Sequence, residues 1–452
     1  MTTFPADFIL DYSKPVPRYT SYPTAPNFTE TVGAETVAAW MRAIPCDEAI
    51  SLYIHIPFCN RLCWFCGCHT QHVQRYDPIK RYLETLYQEI DIVADAIGQR
   101  QRVAQLHLGG GSPSLLKAND LSRLRARLDA AFIIDAQTEI SLEFDPTDMC
   151  ADDVEGFCAF GVTRASLGVQ DFDARVQAAI NRPQSFEKTR EIVTALRNGG
   201  VASVNIDALY GLPFQTDATI RRTLEQVIDL DPDRVALFGY AHVPWMKKHQ
   251  RMIEESALPD TLNRFRQSNI AASALRRMGY QPIGIDHFAK PHDTLSVAAR
   301  NGTLRRNFQG YTDDPCQTLI GLGTSSISQF AQGYSQNTKS VQAYSRAADA
   351  RTLSTERGIE ISDSDRVTAA AIEQLMCQFR IDSDRLRSRF GSLADGVLAK
   401  AALIVHRDED GLIKADATGF HVTDMGVPFV RSLASRFDDY LPSNTGRFSA
   451  AV

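Results

Sequence analysis

The stretch SLYIHIPFCNRLCWFCGC, residues 51–68, joins an apolar run typical of a buried strand to four cysteines within ten residues: Cys59, Cys63, Cys66 and Cys68. Thiolates packed this closely can bind zinc, form a disulfide or hold an iron-sulfur cluster. Structural zinc usually takes two Cys/His pairs separated by about a dozen residues or more, and no second pair follows here. The other cysteines are scattered singly, at positions 46, 150, 158, 316 and 377.

Iron-sulfur clusters are held by thiolates at short spacings, so the cysteine loop suits a cluster better than zinc. Thiols at positions 59, 63 and 66 would ligate three irons of a cubane cluster. The fourth iron would stay open for a substrate or cofactor.

Composition indicates a large enzyme rather than a nucleic-acid or membrane protein. The chain has 452 residues, 44% of them apolar, so it can bury a sizeable core in more than one domain. Its net charge of -6 gives no reason to expect nucleic acid or an anionic membrane as a partner. No apolar run reaches the roughly 18 residues of a membrane span, and the N-terminus lacks a signal-peptide layout. We therefore expect a cytoplasmic monomer with reduced cysteines.

Short β-branched runs alternate with amphipathic stretches beyond the cysteine loop. The strand candidates are residues 51–56, 104–108, 138–144, 164–169, 203–209 and 234–238. The helix candidates are residues 79–97, 120–131, 152–160, 185–198 and 219–229. This alternation predicts an α/β fold with a parallel sheet covered by helices, in which six βα units form a partial (β/α)6 barrel.

Polar and glycine residues fall at the carboxyl end of every predicted strand, where βα barrels place their chemistry. In strand order these are the cysteine loop, the glycine turn 109–113, Glu143 with Asp145, Gln170 with Asp171, Asp207, and the segment 240–242. Each signal alone is weak, because a glycine triplet is usually a turn and a carboxylate after a strand often caps the next helix. Six coincidences on one rim predict an active site there.

The CxxxCxxC spacing after a strand resembles the signature of radical S-adenosylmethionine (SAM) enzymes. The longer string YIHIPFCNRLCWFCGCH, residues 53–69, is similar to the motif of the oxygen-independent coproporphyrinogen III oxidase family. The resemblance implies that Cys59, Cys63 and Cys66 ligate a 4Fe-4S cluster whose fourth iron is chelated by SAM. It also implies a six-stranded barrel, and the sequence pattern on either side of that barrel predicts an N-terminal arm and a mainly α C-terminal domain. Cys68 is typical of the oxidase and is as a rule absent from the related haem chaperone.

The resemblance assigns further residues to SAM binding, matched one at a time to the family's motifs. They are Tyr53, Phe65, Gly110, Gly111, Ser112, Glu143, Gln170, Arg182, Asp207, Ala241 and Ile327. Missing side chains in the glycine turn would let the backbone approach the ligand, and the carboxylates suit ammonium or ribose donors. No catalytic residue is assigned, and we expect the histidines near the rim (55, 107, 242 and 287) to be structural.

The family's substrate is coproporphyrinogen III, two of whose propionates are converted to vinyl groups by a 5'-deoxyadenosyl radical, giving protoporphyrinogen IX. Bidentate arginine is the usual partner of carboxylates, and Arg18, Arg305, Arg306 and Lys290 are the candidate contacts. An electron donor and a terminal electron acceptor are also required, and the sequence identifies neither. A haem-binding or haem-trafficking relative is the alternative from another class, and a radical SAM methyltransferase or haem-degrading relative is a second one.

Three domains are predicted: an N-terminal arm over residues 1–47, the catalytic barrel over 48–345, and a C-terminal domain over 346–452. The C-terminal domain is predicted to contain helices over 365–379, 383–390 and 393–405, a hairpin around residues 410–411, and a final helix near 426–439. This layout resembles a winged helix, but no basic stripe accompanies it, so DNA binding is not expected. The loop 312–318 departs from the family's usual pattern, which affects local loop contacts and leaves the positions matched to SAM binding intact.

Overall fold

The computed structural model describes residues 4–441 and 448. Its α-helices are α1 (Ala6–Tyr12), α2 (Ala34–Arg42), α3 (Asp77–Ile97), α4 (Ala118–Ala131), α5 (Ala151–Phe160), α6 (Ala174–Ala179), α7 (Phe186–Asn198), α8 (Asp217–Asp229), α9 (Thr261–Arg277), α10 (Thr294–Asn301), α11 (Val341–Asp349), α12 (Asp363–Gln378), α13 (Ser383–Phe390), α14 (Asp395–His406) and α15 (Val430–Ser435).

The strands within the same residues are β1 (Ile50–Ile56), β2 (Phe58–Cys59), β3 (Gln71–His72), β4 (Val103–Gly110), β5 (Glu139–Phe144), β6 (Arg164–Gln170), β7 (Ser203–Tyr210), β8 (Arg234–Gly239), β9 (Gln281–Ile283), β10 (His287–Ala289), β11 (Arg305–Asn307), β12 (Gly310–Thr312), β13 (Leu319–Leu322), β14 (Ile327–Phe330), β15 (Gly333–Asn337), β16 (Thr355–Glu360), β17 (Arg380–Asp382), β18 (Ile413–Asp416) and β19 (Gly419–Val422).

One twelve-stranded sheet dominates the fold, in the order β16-β15-β14-β13-β1-β4-β5-β6-β7-β8-β10-β9. Its central strands, from β1 to β8 in that order, pair in parallel, and helices connect them. The predicted partial (β/α)6 barrel is therefore confirmed. Every predicted strand and helix of the barrel begins and ends within two residues of the observed one. Long apolar runs and strong periodicity are the most reliable sequence signals, which explains this agreement.

The helix α3 shows how the sequence covers the sheet. Its apolar residues recur every three or four positions, so that Ile79, Leu83, Leu86 and Ile90 are buried together in the main core. The helix ends at Gly98, whose φ of 78° is left-handed and closes the last turn. A single stripe of side chains therefore anchors α3 beside the first barrel strand.

The sheet extends beyond the predicted barrel on both sides. β13 pairs with β1 in parallel, and β14, β15 and β16 continue from it as antiparallel strands. On the other edge β10 pairs antiparallel with β8, and β9 pairs antiparallel with β10. The domain division at residue 345 stays a prediction, and the sheet itself continues to Glu360.

The C-terminal region contains the three predicted helices as α12, α13 and α14. Its hairpin is formed by β18 and β19, whose register places the turn at residues 417–418. The prediction of a hairpin around residues 410–411 is therefore wrong in position, because Gly411 lies in the loop before β18. The final helix is shorter than predicted: a 3-10 turn, Val427–Phe429, precedes α15.

The N-terminal arm packs against the C-terminal region rather than against the barrel alone. Phe4, Phe8 and Tyr12 surround Phe429, with ring centroids 5.3 Å from it. Further along the arm, the hydroxyl of the buried Tyr19 donates to a carboxylate oxygen of Asp438 at 3.0 Å. No helix among the described residues is both long and apolar enough to cross a membrane.

Candidate active site at the carboxyl ends of the barrel strands

The cysteine loop leaves the carboxyl end of β1 and is closed at its base by two short parallel strands, β2 and β3, which pair Cys59 with His72. The glycine turn after β4 lies directly against it. The amide of Gly111 donates to the Ile56 carbonyl at 2.9 Å, and the amide of Ser112 donates to the Phe58 carbonyl at 2.7 Å. The first two strands of the barrel thus place the predicted cluster loop and the predicted SAM turn in contact.

The glycines of this turn are required by neighbouring protein atoms. A Cβ on Gly111 would lie 2.5 Å from the Phe58 carbonyl oxygen, and a Cβ on Gly110 would lie 2.5 Å from the His55 ring. Gly110 also has a φ of 113°, which side chains rarely adopt. Close packing within the protein accounts for these two glycines, and their predicted contact with SAM stays a prediction.

The three predicted ligand thiols lie in different surroundings. Burial raises the pKa of Cys59 to about 12. Burial also raises the pKa of Cys63, although the Arg182 guanidinium opposes the rise. A hydrogen bond from the neighbouring Cys68 lowers the pKa of Cys66 to about 7, and the Lys247 ammonium contributes to that lowering. Among the described residues, no three His, Cys, Asp or Glu side chains converge closely enough to hold a single metal ion.

Arg182 ties the cysteine loop to two other elements of the rim. Its Nη1 donates to an Asp145 carboxylate oxygen at 3.0 Å and to the Cys63 sulfur at 3.5 Å. Its Nη2 donates to the Gly168 carbonyl at 2.6 Å, while its buried Nε has no hydrogen-bond partner among the described residues. The resemblance predicts a SAM contact for Arg182, and the structure places this cation beside Cys63, a predicted cluster ligand.

A second set of contacts to the loop was missed by the sequence analysis. The segment after β8 supplies three side chains that donate to loop carbonyls: Lys247 to Cys68 at 2.8 Å, His249 to Cys66 at 2.7 Å, and Gln250 to Phe65 at 3.0 Å. Gln250 also donates to the Ala241 carbonyl at 3.2 Å. The available signal was a polar run, residues 247–251, directly beyond the sixth strand end.

Glu143 lies beside the glycine turn. Its Oε2 accepts from the Gly110 amide at 2.9 Å, and its Oε1 lies 3.4 Å from Nε2 of His107. Desolvation opposes ionisation, but these partners outweigh it and lower the pKa of Glu143. The Tyr53 ring stacks on His107 at a centroid distance of 5.7 Å, and its hydroxyl lies 3.0 Å from Nδ1 of His55. A charged carboxylate therefore faces the rim between the first three strands.

Asp207 is the predicted SAM-binding carboxylate on β7, and it lies close enough to Glu143 to be repelled by it. It accepts from Nδ2 of Asn205 at 2.7 Å and lies 3.4 Å from the Ser166 hydroxyl. Burial, followed by repulsion from Glu143, raises the pKa of Asp207 to about 6. The helix after β7 is capped by Thr216 instead. Capping, the alternative reading for Asp207, is thus carried out by another residue.

The other predicted SAM positions also lie near the strand ends. Gln170 ends β6 with a left-handed φ of 70°, at an irregularity in the pairing of that strand. The Ile327 carbonyl oxygen lies 2.7 Å from where Gly321 would carry a Cβ, and Gly321 pairs with Tyr53. Phe65 is half-buried in the cysteine loop.

Two of the predicted substrate contacts lie at the amino-terminal end of the barrel strands, opposite the rim. Lys290 pairs with Asp231 at 2.7 Å, before β8 begins. Arg305 donates to three carbonyls of the loop 314–316, which lies beside the start of β1. The departure from the family's pattern, residues 312–318, contains that loop and therefore also lies beside the start of β1, away from the rim. The Arg306 side chain is buried over the Tyr311 ring. Its Nε and Nη1 have no hydrogen-bond partner among the described residues.

The rim fits a cluster and SAM by the chemistry of its donors. Cys59, Cys63 and Cys66 can supply three thiolates, and Arg182 offers a cation beside one of them. Glu143 and the carboxylates near it suit the ammonium and ribose hydroxyls of SAM.

Comparison with known families agrees with this assignment. The model of the Radical SAM superfamily matches residues 53–227, which hold the cysteine loop and five of the six barrel strands. The model of the HemN C-terminal domain matches residues 361–429. Fold, thiol loop and family match together define a radical SAM enzyme, and the 4Fe-4S cluster and SAM are its cofactors.

The relatives narrow the class further. The oxygen-independent coproporphyrinogen III oxidase of Bradyrhizobium diazoefficiens is 44% identical over 99% of this chain and 100% of its own length. That of Pseudomonas aeruginosa is 39% identical over 99% and 98%. The structure of coproporphyrinogen III oxidase from Escherichia coli matches with a TM-score of 0.90 at 38% identity, covering 94% of this chain and 98% of that one. The chain belongs to the oxygen-independent coproporphyrinogen III oxidase family.

Family membership makes the chain an oxidoreductase of porphyrin and haem biosynthesis. The trafficking, methyltransferase and haem-degrading alternatives are not favoured, because these relatives are named as oxidases. The individual SAM and cluster contacts stay predictions.

Proposed function

We propose that this chain oxidatively decarboxylates two propionates of coproporphyrinogen III to vinyl groups without oxygen, giving protoporphyrinogen IX. The observation that carries the proposal is a cavity of about 460 Å³ beside the carboxyl end of β8. Four arginines line it against two aspartates: Arg18, Arg264, Arg276, Arg431, Asp286 and Asp424. A cationic cavity of this kind suits a ligand that carries several carboxylates.

The arginines of the cavity repel one another. Burial lowers the pKa of Arg431 to about 9, and repulsion from Arg18 and Arg306 adds to the lowering. Burial likewise lowers the pKa of Arg264, and Arg18 contributes there too. Crowded cations in a partly dry site are stabilised by an anion, so the propionates of the substrate would relieve a repulsion that the free protein carries.

The cavity adjoins the predicted SAM site. Arg18 donates to the Gly239 carbonyl at 3.3 Å, and Arg264 donates to the Tyr240 carbonyl at 2.7 Å. The next residue, Ala241, is both a predicted SAM contact and part of the cavity wall. Aromatic residues of the same wall, including Phe238, give the macrocycle an apolar surface.

When bound, the cluster and SAM supply the 5'-deoxyadenosyl radical that removes a hydrogen atom from the propionate. The substrate then loses carbon dioxide and one electron to form the vinyl group, so a donor for the cluster and a terminal acceptor are further partners. The arginines would hold the carboxylates. The arm and the C-terminal region, which supply Phe4 and Val427 to the wall, would exclude water and oxygen.

The domain division, location and oligomeric state are parts of the same proposal. Residues of the arm, the barrel and the C-terminal region all line the same cavity, which supports a division into three units that cooperate there. None of the nine cysteines forms a disulfide in the described part of the chain, which supports a reducing, cytoplasmic location. We propose a monomer, and sedimentation of the purified protein would test it.

An anaerobic assay tests the function. Protein reconstituted with iron and sulfide would receive SAM, coproporphyrinogen III, dithionite and an added one-electron acceptor for the electron that the substrate loses, and 5'-deoxyadenosine and protoporphyrin would be quantified. Arg18→Gln should raise the KM for coproporphyrinogen about tenfold or more, since a charge-assisted hydrogen bond contributes about 1.5–3 kcal/mol. Lys290→Gln, at the opposite end of the barrel, is the matched control. Absence of protoporphyrin from the wild type, or equal KM values for the two variants, would refute the proposal.

A further inference from the structure

The segment 245–252, which follows β8, exposes an unusual amount of apolar surface. Trp245, Met246 and Met252 are 60%, 62% and 60% exposed. Scattered apolar residues on a surface need no explanation, but three large ones within eight residues form a local apolar patch. Tryptophan and methionine are also enriched where proteins bind one another.

The same segment is basic on an acidic protein. It contains Lys247, Lys248 and Arg251 and no carboxylate, whereas the whole chain has a net charge of -6. Two glutamates follow, and Glu255 lies 3.1 Å from His242. Exposed cations among apolar side chains favour a partner with an acidic face.

The position of the segment is the third observation. Lys247 and His249 donate to the carbonyls of Cys68 and Cys66, in the loop predicted to ligate the cluster. The segment that carries the exposed patch is therefore hydrogen-bonded directly to that loop. Electron transfer weakens with distance, so a carrier docked here would deliver its electron near the cluster.

We infer that the segment 245–252 is the docking surface for the electron donor, a small one-electron carrier protein with an acidic face. The inference rests on the proposed function, which needs such a donor. Docking forms no covalent bond: the carrier loses one electron and the cluster gains it. Lys248, Arg251 and Trp245 would contact the carrier, while Lys247, His249 and Gln250 hold the loop.

The test compares a protein donor with a small chemical one. The probe is fully reduced flavodoxin, an acidic flavoprotein, and the reference reductant is dithionite; the readout is 5'-deoxyadenosine. Lys248→Glu/Arg251→Glu should raise the KM for flavodoxin about tenfold or more at low salt, since electrostatic steering changes association rates by roughly 10- to 1000-fold. The dithionite-driven rate should not change. The matched control is Lys80→Glu/Arg221→Glu, on the exposed faces of α3 and α8, which should behave as wild type.

Two further measurements distinguish the possible outcomes. Trp245→Gln/Met246→Gln should raise the same KM at high salt as well, because the apolar contribution is not screened. A KM equal to that of the control overturns the inference, as does loss of the dithionite-driven rate, which would make the segment a support for the loop. Sedimentation showing that the patch variants dissociate a dimer overturns it in favour of a second copy of this chain. Failure of the proposed substrate would show as 5'-deoxyadenosine without protoporphyrin, and the docking test would still be readable.

Discussion

Replacing Arg182 should separate its structural role from its effect on the cluster. The Arg182 and Asp145 side chains are 8% and 13% exposed, and their atoms lie 3.0 Å apart. Arg182→Met would leave a buried carboxylate without its cation, which typically destabilises a protein by about 3–5 kcal/mol. Arg182→Lys keeps the charge but not the fork that also reaches Gly168, so its cost should be smaller.

A double-mutant cycle with Asp145→Asn isolates the ion pair. Asparagine keeps an oxygen for the bond that Asp145 accepts from the Thr147 amide at 3.1 Å, so the change removes mainly the charge. Urea denaturation of the four apo proteins should give a coupling free energy of about 1–3 kcal/mol, as expected for residues in contact. Effects that add to within about 0.5 kcal/mol would show that the two side chains do not depend on each other.

The cluster provides an independent readout of the same residue. The Arg182 Nη1 lies 3.5 Å from the sulfur of Cys63, a predicted cluster ligand, and a cation beside a ligand thiolate would stabilise the more negative, reduced cluster. Arg182→Met should therefore lower the cluster's reduction potential, and Arg182→Lys should lower it less. Spectroscopic redox titration without SAM measures this shift. An unchanged potential in a folded, cluster-loaded Arg182→Met protein would refute the electrostatic role.

Two other predictions concern a buried acid and the fourth cysteine. Burial raises the pKa of Glu89 to about 7, so its stabilising contribution is complete below pH 4.5 and is lost as the pH rises through about 7. The free energy of unfolding should fall by up to about 3 kcal/mol over that window relative to Glu89→Gln; parallel pH profiles in denaturant titrations would contradict this. Cys68→Ala should keep the cluster's visible absorption, because the predicted ligands are Cys59, Cys63 and Cys66 and the amide of residue 68 can still donate to the Cys66 sulfur, whereas Cys63→Ala should lose it. A colourless Cys68→Ala protein after anaerobic reconstitution would show that the ligand assignment is wrong.

The barrel was predictable because its signals are local. Each of the six strands is a short apolar run followed within a few residues by a polar or glycine group, and each helix has a clear buried stripe. The added strands β13 to β16 were not predictable in this way. They are short, and β13 reaches β1 across more than 260 residues, as in the pairing of Ser51 with Leu319. Pairing at that separation leaves no periodic trace near either strand.

The predictability of the site likewise depends on how far apart its residues lie in the sequence. The cysteine spacing identifies the cluster loop, and strand ends identify the rim, because both depend on residues close together in the sequence. The contacts that hold the loop join residues far apart: Gln250 bonds to Phe65, and Arg182 lies beside Cys63. A lone arginine or glutamine has many possible partners in sequence, and only the fold selects one. The glycine turn is a similar case: the glycines are visible in the sequence, but only the fold shows that His55 and Phe58 pack against them.

The cavity connects substrate charge to closure of the site. Its cations come from separate parts of the chain: Arg18 from the arm, Arg264 from α9, and Arg431 from the C-terminal region. Arg431 also donates to the Val16 carbonyl at 2.7 Å, so the arm and the C-terminal region meet at the cavity wall. The four arginines outnumber the two aspartates of the cavity wall, so mutual repulsion opposes bringing these cations together. A polycarboxylate neutralises that repulsion, so binding the substrate should also tighten the walls that shield the radical. The arginines that recognise the propionates would then also couple substrate binding to the exclusion of water and oxygen.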